Sequence, residues 1–214
     1  MTSEVHSRKS SRQLLSVRSL PELRAQAESL LEALCALDDG DPALDHGATL
    51  WFGWSLVTLR GGTEGAGLVA HEPDFANDPL TMTRDDLSCT LHYVAEQQQV
   101  LGYIGVRGEP VRHDQRLTIS PDCLFQELIH LQRREPAFAD DSGWHVGFEP
   151  GSRVSRDRVE TMRVHELLGK RPGLLKVLVL PRGYVTVLRG DSVESIVDDF
   201  SQDVWSGRRS GPPR

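Results

Sequence analysis

Three short stretches of this chain carry residue types that could do chemistry. His71-Glu-Pro-Asp74 sets an imidazole and two carboxylates within four residues, the donor types of a divalent-metal site. In an extended strand His71 and Glu72 face opposite ways, and no His-x-x-x-His or Cys-x-x-Cys spacing accompanies them. A turn directed by Pro73, with Asp74 capping the backbone, accounts for the stretch better. Glu127-Leu-Ile-His130 has the Glu-x-x-His spacing of helical di-iron carboxylate proteins, which need two copies and two further glutamates. The second copy is missing, so Glu127 and His130 read as polar neighbours on an amphipathic helix. Ser142 and His145 offer a nucleophile and a base three residues apart, with no third member assigned. No Gly-x-Ser-x-Gly elbow occurs, and Gly61-Gly-Thr-Glu-Gly-Ala-Gly67 lacks the Gly-Lys-Ser/Thr ending of a phosphate loop.

Recognition is better served than reaction. Trp51, Phe52, Trp54 and Trp144 are large, rigid side chains of the kind that anchor interfaces, although most strand aromatics are core residues. Charge is unevenly distributed. Between Ala25 and Val100 thirteen acids stand against Arg60 and Arg84, while the whole chain of 214 residues carries a net charge of −7. Such an acidic half disfavours nucleic-acid backbone binding and favours either a basic partner or a solvated acidic face. Cys35, Cys89 and Cys123 are odd in number and far apart, which reads as buried free thiols. No apolar run approaches the roughly 20 residues of a membrane span, and the first dozen residues lack a signal-peptide core. A cytoplasmic protein without membrane contact is expected.

The elements that must position these residues follow from periodicity. Residues 1–19 and 201–214 are polar and expected to be a disordered arm and a flexible tail. A helix capped by Ser19 runs through Leu23, Ala27, Leu30, Leu31 and Leu34 to Asp38. A β-rich stretch over 48–59, bent at Gly53, pairs with 67–73, and a second helix capped by Thr83 reaches Leu101. These make an N-terminal α+β half, 20–105. The C-terminal half, 106–200, holds a strand at 116–119, a helix from Ser120 to Arg134, a strand at 144–148, and a short helix over 159–169. An apolar run follows Pro172, and a terminal hairpin turns at Gly190-Asp191. The pattern is α+β, with antiparallel sheets, flanking helices and two packed subdomains. Gly53-Trp-Ser-Leu-Val-Thr-Leu-Arg-Gly61 and Gly183-Tyr-Val-Thr-Val-Leu-Arg-Gly190 are similar across a one-residue gap, as two strands ending in similar turns.

Two blocks carry a family resemblance: Asp140-Asp-Ser-Gly-Trp-His-Val-Gly147 and Glu166-Leu-Leu-Gly-Lys-Arg-Pro-Gly-Leu-Leu-Lys-Val-Leu-Val-Leu-Pro-Arg-Gly-Tyr184. They are similar to the Asp-Ser-Gly-Trp and Leu-Pro-x-Gly-Tyr/Ser blocks of bacterial immunity proteins of the Imm33 domain family. Phe52-Gly-Trp-Ser-Leu-Val-Thr-Leu59, Glu72-Pro-Asp-Phe75 and Asp78-Pro79 resemble what precedes that domain in longer members. The resemblance implies an antidote that binds and neutralises a cognate bacterial toxin, without cofactor or turnover and with no catalytic residues to carry over. Charge and aromatic content then nominate Asp74, Asp78, Asp85 and Asp86 as a toxin-facing acidic edge and Trp51, Trp54 and Trp144 as anchors for a partner with a basic surface. A general regulatory binding module, and a hydrolase using His71/Asp74 or Ser142/His145, are the alternatives from other classes.

Overall fold

The computed structural model describes residues 2–61, 67–148 and 159–206. The chain divides into two compact units, Met1–Glu96 and Gln97–Arg214, the division falling earlier than the expected 105/106 boundary and inside a helix. The fold is α+β, with a six-stranded mixed sheet in each unit.

The first unit opens with a hairpin, β1 (Glu4–Lys9) and β2 (Leu14–Ser19), where a disordered arm was expected. Polar composition concealed it, because only one face is apolar: Leu15 and Val17 are fully buried while the partner strand stays largely exposed. Helix α1 (Arg24–Asp38) follows a 3-10 turn over Pro21–Leu23 that no side chain caps, so Ser19 does not play the expected role. Its buried stripe of Ala27, Leu30, Leu31 and Leu34 packs with Leu15, Val17, Val57, Leu59 and Ala70.

Strands β3 (Thr49–Phe52) and β4 (Ser55–Gly61) form a hairpin turned at Gly53 and Trp54, as the Gly53 bend suggested. Gly53 sits at φ +60°, and a Cβ there would lie 2.6 Å from a Val94 methyl. β5 (Leu68–Pro73) pairs antiparallel with β4 and parallel with β2. That parallel pair departs from the all-antiparallel expectation.

The two-residue strand β6 (Thr83–Arg84) occupies the place expected to start the second helix, and α2 (Ser88–Ile104) begins four residues later. Asp86, not Thr83, takes the first helical amide: its carboxylate accepts the Ser88 N–H at 2.9 Å.

In the second unit, β7 (Arg116–Ile119), β8 (Leu128–Arg133), β9 (Asp141–Gly147), β10 (Glu160–Arg163), β11 (Val185–Arg189) and β12 (Ser192–Val197) lie in the order β10-β7-β9-β8-β11-β12. β7 and β9 are parallel and the other neighbours antiparallel.

Two expected helices are absent. Ser120 to Arg134 is a 3-10 turn, Cys123–Phe125, followed by β8, whose burial alternates through Ile129, Leu131 and Arg133. The helical spacing of Leu124, Leu128 and Leu131 therefore lost to the period-two pattern beneath it. Residues 159–169 are β10, a 3-10 turn and the single-turn helix α3 (Leu167–Lys170). The apolar run after Pro172 is a 3-10 helix, Pro172–Val177, and the terminal hairpin is β11 and β12.

Residues 201–206, expected in a flexible tail, are tied down. Val197 bridges to Asp203, and the Tyr103 hydroxyl donates to the Trp205 carbonyl at 3.3 Å with their rings 4.4 Å apart.

Candidate functional site

In the first unit the chemistry gathers at the N-terminus of α2. A helix leaves its first amides without intrahelical acceptors, and two carboxylates supply them. Asp86 takes the Ser88 N–H, and Glu72, reaching from β5, accepts the Thr90 N–H at 2.7 Å. Both also meet the positive end of the helix dipole. Glu72 is completely buried. Its second oxygen faces the Arg84 guanidinium at 3.4 Å without forming a hydrogen bond. Burial dominates, lifting the Glu72 carboxyl to about 7 against the pull of the Thr90 amide and hydroxyl and of Arg84. Burial also lifts Asp86, but hydrogen bonds from Ser3 and Ser88, with Arg84 nearby, outweigh it and hold the group below the usual carboxylate range.

Three of the four nominated acidic residues come together above this base. An open pocket of about 650 Å³ is lined by Asp74, Asp85, Asp86, Asn77 and the arginines Arg18 and Arg84. Arg18 pairs with Asp85 at 3.2 Å, so the rim is a mixed-charge array rather than bare acid. Asp74 and Asp78 organise the loop between β5 and β6. Asp74 accepts from the Ala76 amide and the Asn77 side chain, and Asp78 from the Leu80 amide and the Thr81 hydroxyl.

His71, Glu72 and Asp74 are not brought to one point, since Glu72 is engaged at α2 and Asp74 in its own turn. Among the described residues no group of three or more His, Cys, Asp or Glu side chains has the placement of a metal site. Burial, with Arg60 nearby, lowers the His71 pKa.

The tryptophans separate. Trp54 is 1% exposed, stacked on Phe75 with centroids 4.9 Å apart, edge-on to Tyr93, and its indole N–H reaches the Thr90 carbonyl at 3.3 Å. Trp144 is also 1% exposed. As core residues neither presents its ring to a partner, which corrects the anchor expectation for both. Trp51 is 41% exposed on the edge strand β3.

In the second unit the Trp144 indole N–H donates to the Leu178 carbonyl at 2.9 Å. Beside it lies Arg133, buried with its guanidinium carbon 5.9 Å from the Trp144 ring centre. One arginine nitrogen donates to the carbonyls of Glu109, at 2.6 Å, and Leu180, at 2.5 Å. Burial brings the Arg133 pKa down to about 10. Nothing in the sequence marked Arg133; its place as the third inward residue of β8 is the only signal, and it required β8 to be read as a strand.

Ser142 and His145 do not form a pair. The Ser142 hydroxyl is buried and accepts the Trp144 amide at 3.2 Å, whereas His145, half-buried, lies in register with Thr118 and Gln132. Glu127 and His130 fall on a turn and a strand, so the helical pair does not exist. The three cysteines are free, and burial raises the pKa of each thiol, away from nucleophilic reactivity.

No helix of the described residues is long and apolar enough to cross a membrane. No curated protein and no solved structure matches the chain. The model of the Imm33-like domain matches residues 96–206, just over half of the chain: the whole described part of the second unit, with Glu96 at the end of the first. Both blocks that carried the resemblance lie inside that match, and the chain belongs to the Imm33-like domain family.

Proposed function

We propose that this chain is an immunity protein that acts in the cytoplasm by binding a cognate bacterial effector toxin and neutralising it through direct protein–protein contact, without turnover. The family of its second unit carries the reading. Two physical features support it. The Ser142 hydroxyl is engaged by the Trp144 amide, and Glu72, Asp85 and Asp86 of the first unit serve as helix caps and ion-pair partners. The acid excess between Ala25 and Val100 suits a partner with a basic surface, by steering the encounter.

Asp74, Asp78, Asp85 and Asp86, with Trp51, are the proposed toxin-facing edge of the first unit. Asp85 is the cleanest probe, because Asp86 is needed to cap α2. The test is co-expression with the product of the adjacent gene in a bacterial host. The reading expects toxicity from that product alone and restored growth with this chain; toxicity unchanged by the chain rejects it.

A further inference from the structure

Every residue of the proposed acidic edge lies outside the segment that matches the family. On the immunity reading just given, a contact surface shared by the family has to lie in the second unit. Three loops meet at one end of its sheet. Val185 is in register with both Gln132 and Val197, and Arg133 with Trp144, so the end of β8, the middle of β9, the start of β11 and the end of β12 coincide. The loops are 134–140, 181–184 and 198–202.

Each outer loop is built by one aspartate and displays one phenylalanine. The Asp141 carboxylate accepts the amides of Ala137 and Gly143, both at 2.8 Å, while its own amide donates to the Phe138 carbonyl. The Asp198 carboxylate accepts the amides of Phe200, at 3.0 Å, and Gln202, at 2.8 Å, and Ser201 is held at φ +63°. A non-glycine residue in that region is costly, and such strain clusters where function requires a fixed shape. Polar groups hold both turns, so neither ring is needed for the geometry. Yet Phe138 is 59% and Phe200 77% exposed.

The middle loop joins them. Arg182 bonds Glu135 at 2.5 Å and Glu109 at 3.0 Å, and a Cβ on Gly183 would lie 2.8 Å from that of Asp199. Scattered surface hydrophobics are ordinary, but two aromatics on adjoining rigid turns with an arginine between them have the composition of an interface hot spot. Fixed turns also reduce the ordering cost of binding.

We infer that Phe138, Arg182 and Phe200 form the surface by which the Imm33-like unit engages its effector. The partner's chemistry follows from what surrounds the rings. Glu109, Glu135, Asp198 and Asp199 outnumber the nearby cations Arg133, Arg134 and Arg182, so the complementary surface is an apolar pocket rimmed by Lys or Arg.

The experiment measures affinity of the intact chain, and of F138A, F200A and F138A/F200A, for the catalytically inactivated product of the adjacent gene. Hydrogen exchange on the wild-type complex is recorded alongside. Both rings are exposed, so the variants should melt as the wild type does. The double variant is expected to bind on the order of a hundredfold more weakly, and exchange should slow in 134–140 and 198–202. Wild-type binding with less than a threefold loss in the double variant, and slowed exchange confined to 74–86, overturns this surface and leaves the immunity reading standing. A wild-type chain that does not bind removes both. If a variant misfolds, the wild-type exchange pattern alone decides.

Discussion

The Trp144 indole N–H donates to the Leu178 carbonyl at 2.9 Å, joining the two sequence blocks that carry the family resemblance. Arg133 ties the same blocks a second time: it donates to Leu180 and stands beside the Trp144 ring. Trp144 and the Leu178 and Leu180 carbonyls, within the blocks that make the family recognisable, thus hold the second unit together.

Removing that link has a definite cost. Trp144→Phe deletes the donor and leaves the Leu178 carbonyl buried without its partner, which is expected to lower stability by about 1–3 kcal/mol. Trp144→Ala adds a cavity and should cost about 3–5 kcal/mol. Urea denaturation checks both. Equal midpoints for Trp144→Phe and the wild type would show the bond to be unimportant.

Gly143, in β9, stands at φ +75°, and a Cβ there would lie 2.2 Å from the Arg134 carbonyl oxygen. Backbone rather than a movable side chain blocks the way, so Gly143→Ala should destabilise by several-fold more than the roughly 1 kcal/mol of a helix-interior glycine effect. Gly169, with nothing within 4 Å and an ordinary φ, is the control: its alanine variant should melt at or slightly above the wild-type temperature.

Glu72 gives the fold a particular pH dependence. Its folded pKa, about 7, lies above the ordinary carboxylate value, so the native state holds a proton that the unfolded chain has already lost. Stability is therefore greatest below the unfolded value and declines as pH rises from about 4.5 to 7, by about 3 kcal/mol from this group alone. Glu72→Gln should flatten that decline in urea midpoints taken at pH 5, 6, 7 and 8. Parallel curves for variant and wild type would contradict the assignment.

Asp38 works in the opposite sense. It is fully buried at the C-terminal end of α1 and accepts bonds from Ser10 Oγ at 2.5 Å, Gln13 Nε2 at 2.9 Å and the Leu44 amide at 3.0 Å. Burial raises its pKa, but these donors prevail and hold it below the usual range. Its contribution is present above the unfolded aspartate pKa and is lost as pH falls through the lower folded value. Asp38→Ala should cost about 3 kcal/mol at neutral pH and loosen the β1–β2 hairpin, which proteolysis after residue 13 would report.

What was legible in the sequence was local. The α1 stripe, the Gly53 hairpin and the β11–β12 hairpin follow from patterns within a dozen residues. Leu124, Leu128 and Leu131 misled because a helical spacing can be laid over an alternating strand, and only the register of β8 with β9 and β11 decides between them. Glu72 was noticed for the wrong chemistry: its partner amide belongs to Thr90, eighteen residues on. The exposure of Phe138 and Phe200 had no sequence signature, since an exposed phenylalanine and a buried one are written alike.

The central claim, neutralisation by binding rather than by catalysis, is tested most directly by titrating the purified effector with this chain and following the effector's activity. Inhibition that reaches completion at one equivalent and does not deepen with incubation time is the predicted result. Complete inactivation by a small fraction of an equivalent, growing with time, would mean turnover, and undiminished activity at excess chain would mean that this effector is not its target; either contradicts the account.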